Sequence, residues 1–162
     1  MKEPINIDAT IKSAFNSVIK IITNKLERTK SHRTIEEYEN LKNDIDYLRG
    51  IATNPAGFFR AKKEPNDIYK ELGKLLDLSI LEGHYSPQPV MGTRVLDSLM
   101  LYSAAYYNAE KWNDYKRKES IEQIVKLNKF VKLKSAAGMT RALGVFRVFA
   151  PAEHFAVREN QK

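Results

Sequence analysis

A chain of 162 residues with 43% apolar and 29% charged side chains is most simply one domain, with enough apolar content to build a core rather than stay disordered. It has no cysteine, which excludes disulfides, thiolate nucleophiles and cysteine-ligated metals. Its 27 basic and 20 acidic side chains give a net charge of +7, a balance that bears on partners rather than on fold and puts polyanions first among them.

The positive charge is concentrated in the second half. Residues 1–81 carry 14 basic and 12 acidic side chains, residues 82–162 carry 13 and 8, and residues 111–149 carry 10 and 3. No apolar run reaches about 18 residues, the length that a membrane-spanning helix requires. The opening MKEPINIDATIK lacks the basic-then-apolar order of a signal peptide. A cytoplasmic or virion location is expected, with no membrane partner.

In chain order, the first element is an amphipathic helix. Ile11, Ala14, Phe15, Val18, Ile21, Ile22 and Leu26 follow the three-four spacing of one helical face, and Asp8 is the predicted N-cap. A second helix opens on Thr34 and Glu37, a capping-box spacing, and continues through Ile35, Tyr38, Leu41, Ile45, Leu48 and Ala52.

Between them and the next helix lies NPAGFFRAKKEP, residues 54–65, where two prolines and a glycine argue against helix. A third helix is predicted from Pro65, whose missing amide hydrogen costs nothing in a first turn. It runs through Ile68, Leu72, Leu75 and Leu76 toward a stop at Gly83. GHYSPQPVMG then reads as a loop.

The helix near residues 93–113 differs from the others. Leu96, Leu99, Met100, Ser103 and Tyr107 form one face, while Val95, Tyr102, Ala105, Ala109 and Trp112 populate another. A helix apolar on more than one side is normally central. SIEQIVKLNKFVKL is predicted helical with Ile121, Ile124, Val125 and Val131 inward, although its tail alternates like a strand. SAAGMTRALGVFRVFA is also assigned to helix, against the strand-like composition of GVFRVF. The expected fold is all-α: one helical-bundle domain of five or six helices over residues 1–150, the one near residues 93–113 being central, then an irregular tail over residues 151–162.

Sites of catalytic chemistry are sparse. His32, His84 and His154 share no metal-ligand spacing, and there is no phosphate-binding glycine loop or nucleophile elbow. Glu82 and His84 flank Gly83, with Tyr85 following, a cluster that could bind a ligand or move a proton. A histidine at a helix C-terminus more often meets free carbonyls. Asp44 with Asp46, and Glu36 with Glu37, have the look of solvated charge. No metal, no cofactor and no enzymatic activity are expected. Tyr102, Tyr106, Tyr107, Trp112 and Tyr115 are either core or a platform for stacking bases.

The charged residues are more informative. Lys116, Arg117 and Lys118 precede Lys126, Lys129, Lys132 and Lys134, with Arg141 and Arg147 beyond. On a helix, the four later lysines fan across the side opposite Ile121, Ile124 and Val125, as contacts to successive phosphates would require. The preponderance of lysine suits nonspecific backbone contact better than bidentate reading of bases. Arg60, Lys62 and Lys63 join this candidate set. For Phe58 and Phe59 four fates are open: a nucleic-acid wedge, a membrane contact, a docking knob, or a plug for the end of their own bundle. The plug is the commonest fate of loop phenylalanines. Of the outward-facing ones the docking knob is preferred, which makes Phe58 and Phe59 candidate interface residues.

The expected function is non-enzymatic and structural. The protein would make nonspecific contact with DNA or RNA in a multi-subunit nucleoprotein assembly, as a viral coat-type subunit or a small helical subunit of a nucleic-acid-processing complex, with self-association or other subunits as further partners. The alternative is a helical protein–protein adaptor whose basic face meets an acidic partner.

Overall fold

The computed structural model describes residues 5–75, 78–81, 95–112 and 115–133, and all the regular structure among them is helical. In chain order the helices are α1 (Ile7–Arg28), α2 (Ile35–Thr53), α3 (Pro55–Ala61), α4 (Pro65–Lys74), α5 (Leu78–Leu81), α6 (Val95–Tyr107) and α7 (Arg117–Leu133), with short 3-10 turns at Lys30–His32 and Ala109–Lys111. This is the all-α helical bundle expected. The helix predicted over SAAGMTRALGVFRVFA, the loop GHYSPQPVMG and the tail from residue 151 lie outside the described residues.

α1 buries Ile11, Ala14, Phe15, Val18, Ile22 and Leu26 as its spacing predicts, and adds Ile7 and Ile19. Its N-cap is Asn6 rather than Asp8. The Asn6 side chain accepts from the Ala9 amide at 3.1 Å, while Asp8 sits in the first turn and accepts a hydrogen bond from the Tyr107 hydroxyl. Starting the helix earlier brings Ile7 onto the buried face. α2 begins at the expected cap, with Thr34 Oγ1 accepting from the Glu37 amide at 3.0 Å.

α6 is the central element. Every residue from Val95 to Ala105 is buried, with α1, α3, α4 and α7 packed around it. The single helix expected between Pro65 and Gly83 is instead two. α4 ends as the Leu75 amide turns back to the Leu72 carbonyl, and the Leu78 amide then bonds Leu75 in the same tight fashion. Leu75, Leu78 and Leu81 all remain buried across the break, so the apolar surface continues although the helix does not. α7 buries Ile124, Leu127, Phe130 and Val131, whereas Ile121 and Val125 are only half-buried at its edges.

The segment that its prolines and glycine argued against forming a helix is helical over Pro55–Ala61. Pro55 occupies the first helical position, and Asn54 caps it by accepting from the Gly57 amide at 3.2 Å. Gly57 is what permits this cap, since a Cβ there would lie 2.5 Å from Asn54 Nδ2. The resulting turn carries Phe59 fully into the core. Its ring stacks between Phe15 of α1 and Tyr107 of α6, each at 6.1 Å between centroids. Phe58 is half-buried, edge-on to Phe59 at 5.0 Å and to Tyr47 at 6.4 Å.

Phe59 is therefore a core residue and not a docking knob. Full burial of a phenylalanine contributes about 1.5–3 kcal/mol, which an outward-facing ring would forgo. Two further bonds fasten the segment: Asn108 Nδ2 donates to the Phe59 carbonyl at 2.8 Å and Trp112 Nε1 to the Lys63 carbonyl at 2.7 Å. Phe59→Ala is expected to cost about 3–5 kcal/mol, read as a lowered urea midpoint. A change within about 0.5 kcal/mol, ordinary for a surface position, would show that the ring does not pack here.

Candidate functional site

The basic segments that the sequence keeps apart meet at one rim of the bundle. Arg60, exposed in the last turn of α3, places its guanidinium carbon 5.6 Å from the centre of the Tyr107 ring. Arg117, exposed at the start of α7, sits 4.6 Å over the Tyr106 ring and donates to the Tyr106 hydroxyl at 3.2 Å. The two tyrosine rings are 5.0 Å apart and steeply inclined to one another. Arg60 and Arg117 are thus joined through adjacent, half-buried tyrosines at the end of α6. Lys63, after α3, Lys116, just before α7, and Lys118, in the first turn of α7, are also exposed.

The other aromatic candidates belong to the core. Tyr102, Trp112 and Tyr115 are buried, with Tyr115 edge-on to Tyr102 at 5.3 Å. Tyr115 is therefore no platform, despite the three basic residues that follow it. Burial first, and then the carboxylate of Asp8, push the Tyr107 phenol well above its ordinary range, so it remains a donor to Asp8 throughout the physiological pH range.

α7 extends the charge away from this rim. Lys118, Lys126, Lys129 and Lys132 are exposed, on the side turned away from Ile124, Leu127 and Val131. Exposed Glu119 and Glu122 interrupt the row near its start, leaving the later turns as its uninterrupted part. Lys134, Arg141 and Arg147 lie outside the described residues.

Lys62 stands apart from the other candidates. It lies 4.8 Å over the Phe58 ring, and its ammonium is 3.6 Å from the carboxylate of Glu71. Glu71 is only 6% exposed; it also takes a hydrogen bond from the Tyr47 hydroxyl and pairs with Lys74 at 3.3 Å. A buried carboxylate is tolerated only when paired and hydrogen-bonded, and Lys62 is one of the groups that makes Glu71 tolerable. Sequence reading passed over Glu71, although a signal was available: it lies three residues after Ile68 and four before Leu75, inside an apolar stripe.

Of the residues considered for acid–base chemistry, Glu82, His84 and His154 lie outside the described residues. His32 is exposed in the turn after α1, and Asp46 pairs with Arg49 at 2.7 Å on the α2 surface. Among the described residues no group of three or more His, Asp or Glu is placed to hold a metal ion, and no helix is long and apolar enough to cross a membrane. No family model, curated protein or solved structure matches this chain.

The electrostatics of Glu71 give a pH dependence. Burial by itself would raise its pKa, but the hydrogen bonds from Tyr47 and Lys74 and the charges of Lys62 and Lys74 together hold it below the ordinary 4.5. A carboxyl lowered in the folded state stabilises fully above its unfolded value, and that stabilisation is lost as pH falls through the lower folded value. Glu71→Gln is expected to lose about 1.5–3 kcal/mol at neutral pH, the scale of a charge-assisted hydrogen bond. In urea unfolding at successive pH values, the gap between the two proteins should close as the pH drops below 4.5. A gap independent of pH would show that the ionised carboxylate is not what holds this cluster.

Proposed function

We propose that this protein binds nucleic acid nonspecifically, through backbone phosphates, as a structural rather than a catalytic component of a nucleoprotein assembly. The observation that carries this reading is the joining of Arg60 and Arg117 at one rim, from which α7 leads past Glu119 and Glu122 to the exposed Lys126, Lys129 and Lys132. Flexible lysines act as point charges toward phosphate oxygens, and contacts to phosphates position a protein without reading sequence. Lys126, Lys129 and Lys132 recur at three-residue spacing and rise along the helix, as contacts to a continuous polyanion require. Lys62, engaged with Glu71, supports the surface rather than contributing a free charge.

Phe59 is buried and Phe58 half-buried, so these aromatics lend little support to subunit docking. The contact surface itself rests on charge, and charge predicts a characteristic salt response. Affinity for random-sequence single-stranded and duplex nucleic acid should fall steeply between about 50 and 200 mM salt, as counterions released by bound phosphates become less dilute. Replacing Lys126, Lys129 and Lys132 together by glutamine should weaken binding at every salt concentration and reduce the log–log slope by about 2–3, one phosphate per lysine lost. Absence of binding at the lowest salt would overturn the reading and favour an acidic protein as the partner of this face.

A further inference from the structure

The two tyrosines at the rim do more than join its charges. Arginine occurs at both positions whose side chains cover a rim tyrosine, Arg60 on Tyr107 and Arg117 on Tyr106, whereas the neighbouring exposed positions Lys63, Lys116 and Lys118 and the later α7 face are lysine. A guanidinium is planar and weakly hydrated, stacks on aromatic faces, and can itself receive a stacked base; an ammonium can lie over a ring, as Lys62 does over Phe58, but has no flat face to offer a base. Phosphate neutralisation alone gives no reason for this division of residue types.

The platform is also anchored. Tyr107 stacks on Phe59, and Phe59 on Phe15 in the middle of α1, while the Tyr107 hydroxyl is held by Asp8. Tyr106 is packed edge-on against Tyr107 and hydrogen-bonded to Arg117. Its ring and the exposed guanidinium over it are therefore positioned before any ligand arrives, which lowers the ordering cost of binding.

We infer that this rim selects single-stranded over double-stranded nucleic acid, by stacking unpaired bases on Arg117 with Tyr106 and on Arg60 with Tyr107, while the lysines of α7 follow the phosphates. The inference rests on the nucleic-acid reading given above. A duplex hides its base faces within its own stack and offers only groove edges and backbone, so it gains from the lysines but not from the rim. An unpaired strand gains from both.

The test uses the full chain with three probes: a mixed-sequence single strand, the same sequence as a duplex, and inorganic polyphosphate, which has charge but no bases. The single strand should bind at least about ten-fold tighter than the duplex, the scale of one stacked base. Arg117→Lys preserves charge on an exposed side chain and should erase part of that preference, and Arg117→Lys combined with Arg60→Lys most of it. The Arg117→Lys variant's affinity for duplex and polyphosphate should fall by much less than its affinity for the single strand, and the salt slope, which follows the number of charges, should be retained. Tyr106→Leu should act in the same direction, with Arg117→Lys deciding the matter if the leucine variant folds poorly. Equal affinity for single strand and duplex, or an Arg117→Lys loss equal on all three probes, would overturn the stacking inference while retained binding of polyphosphate left the charge-based reading intact. Binding to none of the three would end both.

Discussion

Stacking of Phe59 between Phe15 and Tyr107 is the contact on which the arrangement of this protein's charges depends. It locks α1, α3 and α6 together at one point. Because successive helical residues are rotated by about 100°, driving Phe59 into the core directs Arg60 away from it, toward solvent. The same stack fixes Tyr107, and Tyr106 beside it stands at the edge where α7 begins. An interaction made wholly of apolar surface thus decides where two positive charges emerge.

The neighbouring Glu71 cluster works in the complementary sense. Its carboxylate is buried in the face that α4 turns toward the core, and it is tolerable there only because Tyr47, Lys62 and Lys74 converge on it. These partners come from α2, the end of α3 and α4 itself, so satisfying one acid ties three elements together. One lysine of the 60–63 segment is consumed by this internal task, while Arg60 and Lys63 stay exposed. Nearby residues of like charge therefore have different work, and composition alone does not separate them.

Much of the fold was legible in the sequence because helical periodicity is a local property. The apolar spacing of α1 and α2 and the all-round apolarity of α6 are present whatever the tertiary structure. α3 was not legible, since seven residues with a proline and a glycine have little helical preference of their own. They become a helix through the Asn54 cap and the burial of Phe59, neither of which shows in a periodic pattern. The choice of Asn6 over Asp8 as cap was hidden for a related reason: both side chains can cap, and the tyrosine that engages Asp8 lies 99 residues away. The break between α4 and α5 leaves no mark, because Leu75, Leu78 and Leu81 suit one helix as well as two. As for the candidate site, the identity of its basic residues could be read directly. The meeting of Arg60 with Arg117 could not, for it depends on the packing of α3 against the end of α6.

The bonds from Asn108 and Trp112 end on main-chain oxygens of Phe59 and Lys63. A carbonyl is the same acceptor whatever side chain stands beside it, so these fasteners are indifferent to the residue types they secure. At Lys63, where the side chain is exposed, the path of the backbone and the character of the surface are specified by different atoms. The polarity of that position can be rewritten, by drift or by design, while the scaffold beneath it stays in register. A surface built this way can change its choice of ligand faster than its architecture.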